Sequence, residues 1–110
     1  MKILNRGFIS IKPKALFLNW KAEISNEEVI EAENLEATVY LIEDDFWEDE
    51  AMIKKYFKKI ASQECFSISE DKTLWPVFDE ESFQNYFEAS CGTFVIDLMK
   101  NPIDGDKLDL

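Results

Sequence analysis

Three stretches of the chain carry apolar side chains at helical spacing, and stripes of that kind must be covered by another layer. In residues 13–24 the stripe is Leu16, Phe17, Trp20 and Ile24, with Pro13 suited to a first helical turn. In residues 45–61 it is Phe46, Ile53, Phe57 and Ile60, widened by Met52 and Tyr56. Acids lead this second stretch and lysines 54, 55, 58 and 59 close it, the order that suits the helix dipole. Glu50 and Lys54 stand at i,i+4 in the orientation that favours a pair. In residues 80–89 the core side chains are Phe83, Tyr86 and Phe87. Asp79 is the expected N-cap there, with Phe78 packing on Phe83 as a hydrophobic staple.

The covering layer is expected to be a small sheet. Residues 37–42, ATVYLI, are β-branched, aromatic and bounded by charge, which makes them the best strand. Phe8-Ile9-Ser10-Ile11 is a short strand, and residues 92–98 read as the last one. Residues 64–69 alternate weakly and read as a strand or an ordered loop. Leu74-Trp75-Pro76 must be extended, because a residue before proline avoids helical angles. Ser25-Asn26-Glu27-Glu28 is a capping-box pattern that opens a short helix near 26–33 or forms a turn.

The expected fold class is α+β. It is a single-domain two-layer α/β sandwich, with a three- or four-stranded sheet and about three helices on one face. A doubly wound fold wants longer, continuously apolar strands than these. The domain spans residues 1–100. Residues 101–110, with Pro102 and Gly105, read as a flexible acidic tail. A chain of 110 residues buries roughly two-thirds of its unfolded surface and folds without a staple.

Read in order, KPKALFLNW, EATVYLIEDDFWEDEAMIKKYFKKI, LWPVFDEESFQNYF and FVIDL resemble a family of small bacterial proteins. Members share a proline-aromatic-tryptophan first helix, a TVYLI-type strand before an acidic helix, an LWP segment and a VIDL-type last strand. The similarity spans nearly the whole chain. The family tends to carry Asp at the position of Asn19 and Trp at that of Tyr86, where this chain differs. The resemblance implies a bacterial cytosolic protein. No activity is established for the family, so no catalytic residue carries over.

The chain has no histidine, and that removes much chemistry. Ser-His and Cys-His pairs, imidazole acid/base work and His-ligated zinc are all excluded. Cys65 and Cys91 stand 26 positions apart, a spacing that matches no redox or zinc motif, and read as reduced thiols. No cofactor is expected. Calcium sites of the EF-hand type need a central Gly and a closing Glu. Glu43–Glu50 has no Gly, and the Asp104–Asp109 run has no Gly at the sixth position. A carboxylate enzyme remains open at Asp97, which interrupts an apolar strand and becomes a buried acid if its face is covered. On a wet face, or paired with Lys12 or Lys14, Asp97 is structural.

The net charge of −11 argues against nucleic acid and anionic membrane as partners. Charge runs in blocks. Residues 1–21 hold five bases and no acid, 22–53 twelve acids and no base, and 54–59 four lysines. Such blocks mark an interaction surface or are brought together by the fold. The longest apolar run near the start, Ala15-Leu16-Phe17-Leu18, is too short for a secretory signal or a membrane span, and the expected location is the cytoplasm.

The leading functional expectation is a non-enzymatic acidic module that binds a basic protein, of inhibitor, immunity or adaptor type. Its surface is the acidic run at 43–50, with Asp44, Asp45, Glu48 and Asp49 supplying charge and Tyr40 and Trp47 as aromatic anchors. Helical spacing also permits Trp47 to sit at the core's edge. A third expectation is a homodimer through a second sheet face formed by Phe8, Tyr40, Ile42 and Val95.

Overall fold

In the computed structural model, which describes residues 1–27 and 36–108, the main sheet is organised around one central strand. That strand is β2 (Gly7–Pro13), preceded by the short β1 (Lys2–Ile3). Gly7, Ile9 and Ile11 of β2 are buried, and Phe8, Ser10 and Lys12 take the opposite face, as period-2 alternation requires. β3 (Thr38–Ile42) flanks β2 on one side and β4 (Phe87–Gly92) on the other, both antiparallel. Ile9 stands opposite Tyr40 on β3 and Cys91 on β4. A second, two-stranded sheet pairs β1 with β5 (Ile96–Asp97).

Three helices cover one face of the main sheet: α1 (Ala15–Ser25), α2 (Asp49–Phe66) and α3 (Glu80–Tyr86). Phe17, Ile53, Phe57, Ile60 and Phe83 from the helices meet Ile9, Ile11, Ile42 and Phe87 from the sheet in one cluster. Phe83 is fully buried, and its ring lies 5.1 Å from that of Phe87 and 6.0 Å from that of Phe57. The chain is thus a single small α+β domain with two layers. Asp79 caps α3 through a reciprocal box: its carboxylate accepts from the Ser82 N–H at 2.8 Å, and the Ser82 hydroxyl accepts from the Asp79 N–H. Phe78 packs edge-on against Tyr86 and at a tilt against Phe87. Trp20 and Trp75 pack against the core and donate their indole N–H groups to the Leu74 and Ser69 carbonyls, which holds the connection from α2 to α3.

Several boundaries differ from the sequence expectation. Pro13 closes β2, where a missing N–H is tolerated, and α1 starts at Ala15. α2 begins at Asp49 and runs to Phe66, so residues 43–48 precede the helix and Glu64 to Phe66 belong to it. The expected strand or loop at 64–69 is replaced by the end of α2, because Ile60, Ala61, Glu64 and Cys65 continue the buried helical stripe. α3 ends at Tyr86, and Phe87 turns directly into β4 with φ −136° and ψ 143°. Pairing with β2 outweighs the local helical spacing there, and Phe87, Ala89 and Cys91 alternate inward against Glu88 and Ser90. The last strand shrinks to Ile96–Asp97, which pairs with β1 outside the main sheet.

The second sheet face is also composed differently. Tyr40 and Ile42 point to the helix-covered side, and Val95 lies outside the main sheet. The open face instead carries Phe8, Val39 and Leu41 among Ser10, Lys12, Glu88 and Ser90. Ser25 is the last residue of α1, its hydroxyl donating to the Lys21 carbonyl, and Asn26 closes the helix in a left-handed conformation with φ 55°. The rest of the expected helix near 26–33 falls largely outside the described residues.

Gly7 is fixed by close approach. A Cβ there would lie 2.7 Å from the Glu43 carbonyl oxygen and 2.8 Å from that of Gly92, both backbone atoms. Gly7→Ala is therefore expected to lower stability by about 1–3 kcal/mol, the range for overpacking. Phe83→Ala, which empties the centre of the core, is expected to lose about 3–5 kcal/mol. Urea unfolding checks both as a lowered midpoint at unchanged slope.

Candidate functional site

The acidic run divides into one anchored carboxylate and several free ones. Glu43 follows β3, and its carboxylate accepts the Lys55 ammonium and, at 2.5 Å, the Tyr56 hydroxyl, both from α2. The Lys55–Glu43 contact is the one ion pair among the described residues. The hydrogen bond from Lys55, then that from Tyr56, lowers the Glu43 carboxyl to about 2. The same contacts raise the Lys55 ammonium and the Tyr56 phenol. This latch joins the acidic block to the lysine block, and residues 44–48 bridge from it to the start of α2.

Asp44, Asp45, Glu48, Asp49 and Glu50 are all exposed, and Phe46 is half-buried against the core. Trp47 is 99% exposed. The helical register that would have set it at the core's edge does not apply, since α2 starts two residues later. Five of the six expected site residues thus share one exposed run.

The sixth, Tyr40, lies elsewhere. Its ring is half-buried, and its hydroxyl donates to Glu64 Oε2 at 2.7 Å. Glu64 is the one buried charged side chain among the described residues, with 8% of its surface exposed. Burial raises its carboxyl, opposed by hydrogen bonding to Tyr40 and Thr38. Burial, then the bond to Glu64, also drives the Tyr40 phenol upward. Tyr40 and Glu64 line a cavity of about 390 Å³ between β3, α1 and α2. Its walls include Phe17, Leu18 and Ile68, with Lys21 and Glu36 as the other charged groups. Another, smaller cavity of about 190 Å³ also borders Tyr40, with Leu41, Tyr56 and Ile60 in its lining.

Sequence reasoning did not single out Glu64. The signal was present: with α2 extended past residue 61, the spacing 57, 60, 61, 64 puts this acid on the apolar stripe.

Asp97 sits on β5 opposite Lys2. Its Oδ1 accepts from the Met99 N–H at 2.9 Å, and its Oδ2 is buried without a partner among the described residues. It lines none of the cavities described here. The two cysteines are free, and burial raises both, Cys65 to about 11, so neither is a ready thiolate. Among the described residues no group of three or more His, Cys, Asp or Glu could hold a metal ion, and no helix is long and apolar enough to cross a membrane. The chain matches no family model, no curated protein and no solved structure, so the functional reading rests on this geometry.

The two anchored acids have opposite pH signatures. The lowered Glu43 carboxyl adds stability above its usual value near 4.5, lost as pH falls toward about 2. Glu43→Gln should be less stable than the parent at pH 7, with the difference shrinking across that acid window. The raised Glu64 carboxyl favours folding at low pH, and that contribution is lost as pH rises through its raised value. Glu64→Gln should therefore match the parent in acid and gain relative to it toward neutral pH. Urea midpoints measured from pH 3 to pH 8 test both directions.

Proposed function

We propose that the chain is a non-enzymatic, acidic protein-binding module whose partner presents a basic surface with an aromatic-sized recess. The observation that carries this reading is Trp47, 99% exposed within a run of exposed carboxylates. A tryptophan fully in water contributes nothing to the core. Docked, an indole buries roughly 150–250 Å², worth about 4–6 kcal/mol before association costs. The acids around it steer a cationic partner and suppress anionic ones. Asp44, Asp45, Glu48 and Asp49 are the charged rim in this reading, and Trp47 is the anchor.

The latch at Glu43 supports the same reading. It fixes where the run begins, so that the indole is presented from a short segment held at both ends, by β3 and by α2. A pre-positioned anchor loses less entropy on docking than one on a free tail.

Trp47→Ala should change folding stability by no more than about 0.5 kcal/mol, as is usual for exposed sites. The same variant should lose capture of a basic partner from lysate of the native organism, with the partner identified by mass spectrometry. Reversing Asp44, Asp45, Glu48 and Asp49 to Lys should abolish capture as well. Equal capture of that partner by the parent and both variants overturns the reading.

A further inference from the structure

A buried carboxylate is costly unless it is paired with a cation or fully hydrogen-bonded. Glu64 lies at the wall of a cavity whose apolar lining includes Phe17, Leu18 and Ile68, and its hydrogen-bond partners, Tyr40 and Thr38, are neutral hydroxyl groups. No cation stands within ion-pair distance of it among the described residues. Lys21 and Glu36 line the same cavity, so the bases and acids facing it leave it with a net negative charge.

The cavity also opens beside an unpaired strand edge. Among the described residues β3 pairs only with β2, and no backbone hydrogen bond from outside the sheet reaches it. An open edge of this kind admits an extended chain as readily as a small molecule.

We infer that this cavity is a receptor for a primary ammonium group on an aliphatic stem, with Glu64 taking the ammonium and Phe17, Leu18 and Ile68 the stem. Such a group has three N–H donors and no acceptor, which suits a carboxylate held so far by neutral hydroxyl donors alone. The stem suits apolar walls, as a lysine side chain buries its methylenes while its charge meets an acid. A free alkylamine and the lysine side chain of an extended peptide share this chemistry. The inference is independent of Trp47, since no residue of the acidic run lines the cavity.

The test is a titration of the whole chain followed by amide NMR shifts, with four probes. They are n-pentylamine, the equally long neutral n-pentanol, a capped lysine-containing pentapeptide, and the same peptide with its lysine acetylated. Saturable shifts at residues 63–68 with either cationic probe, at least about tenfold tighter than with its neutral counterpart, are expected. A tighter lysine peptide identifies the source as a protein segment, and a tighter pentylamine identifies it as a free amine. Glu64→Gln should weaken binding by at least about tenfold, the size of a lost hydrogen bond to a charged group. For the parent, affinity should fall as pH drops and Glu64 takes up a proton, and Glu64→Gln should flatten that profile. Equal binding of charged and neutral probes overturns the inference, as does no saturation by either cationic probe up to ~10 mM. These comparisons use the parent chain, so they hold even where Glu64→Gln does not fold.

Discussion

Everything in the main layer is referred to β2. Among the described residues it is the only strand with two neighbours in that sheet, and its inward residues Gly7, Ile9 and Ile11 are buried beneath the helices. The glycine sets the spacing at one end, because backbone from both Glu43 and Gly92 closes to within 2.8 Å of where its Cβ would be. That approach fixes the end of β3 against β2, and therefore fixes where the acidic run leaves the sheet. At the other end of β2, the Lys14 N–H donates to the Tyr86 carbonyl and its ammonium to the Gln84 carbonyl, tying the turn into α1 to the end of α3. One strand thus sets the positions of the Glu43 latch and of the wall that carries Tyr40.

The acids after β3 separate by what they touch. Glu43 is bound twice by α2, and its proton affinity is lowered accordingly. The four candidate acids that follow have no described partner and project into water. A helix dipole accounts for Asp49 and Glu50 in the first turn of α2. It does not account for Asp44 and Asp45, which lie before the helix, and Glu48 at the N-cap makes no side-chain capping hydrogen bond. A surface ion pair contributes little to stability in any case, so free acids in this number are better understood through solubility and docking than through folding.

Much of the fold was legible because its signals are local and periodic. Helices α1, α2 and α3 were visible from apolar spacing, and the Asp79 cap was visible too, since its polar side chain and following acids need no tertiary knowledge. The misplaced elements are those decided by pairing. Phe87 fits a helical stripe and a strand equally well, and only β2, with its row of unpaired donors and acceptors, makes it a strand. The same holds for Ile96 and Asp97, which pair with Lys2 and Ile3 at the opposite end of the chain. The candidate surface was legible as a composition, yet the exposure of Trp47 was not. A shift in the start of α2 by a few residues moves an indole from the core's edge into water. Tyr40 inverted for the simplest reason: one face of β3 had to be inward, and sequence alternation does not say which.

Trp47 and Glu64 break the rules of burial in opposite senses, one a large apolar ring in water and the other an acid in the core layer. Neither placement helps the fold. A smaller polar residue at 47 would remove an exposed indole, and an apolar or neutral residue at 64 would remove the desolvation of a carboxylate. Residues that are locally unfavourable without a compensating contact are expected where a sequence serves something besides its own stability. The partial compensation at Glu64, hydrogen bonding to Tyr40 and Thr38, ties β3 to α2 and keeps the acid at the cavity wall. At Trp47 there is no compensation within the described residues, and the nearby Glu43 latch fixes only the backbone from which the ring projects. Both features depend on the same five-residue strand, Thr38–Ile42: Tyr40 at its centre holds Glu64, and the run that carries Trp47 leaves its C-terminal end, so the two surfaces share one support.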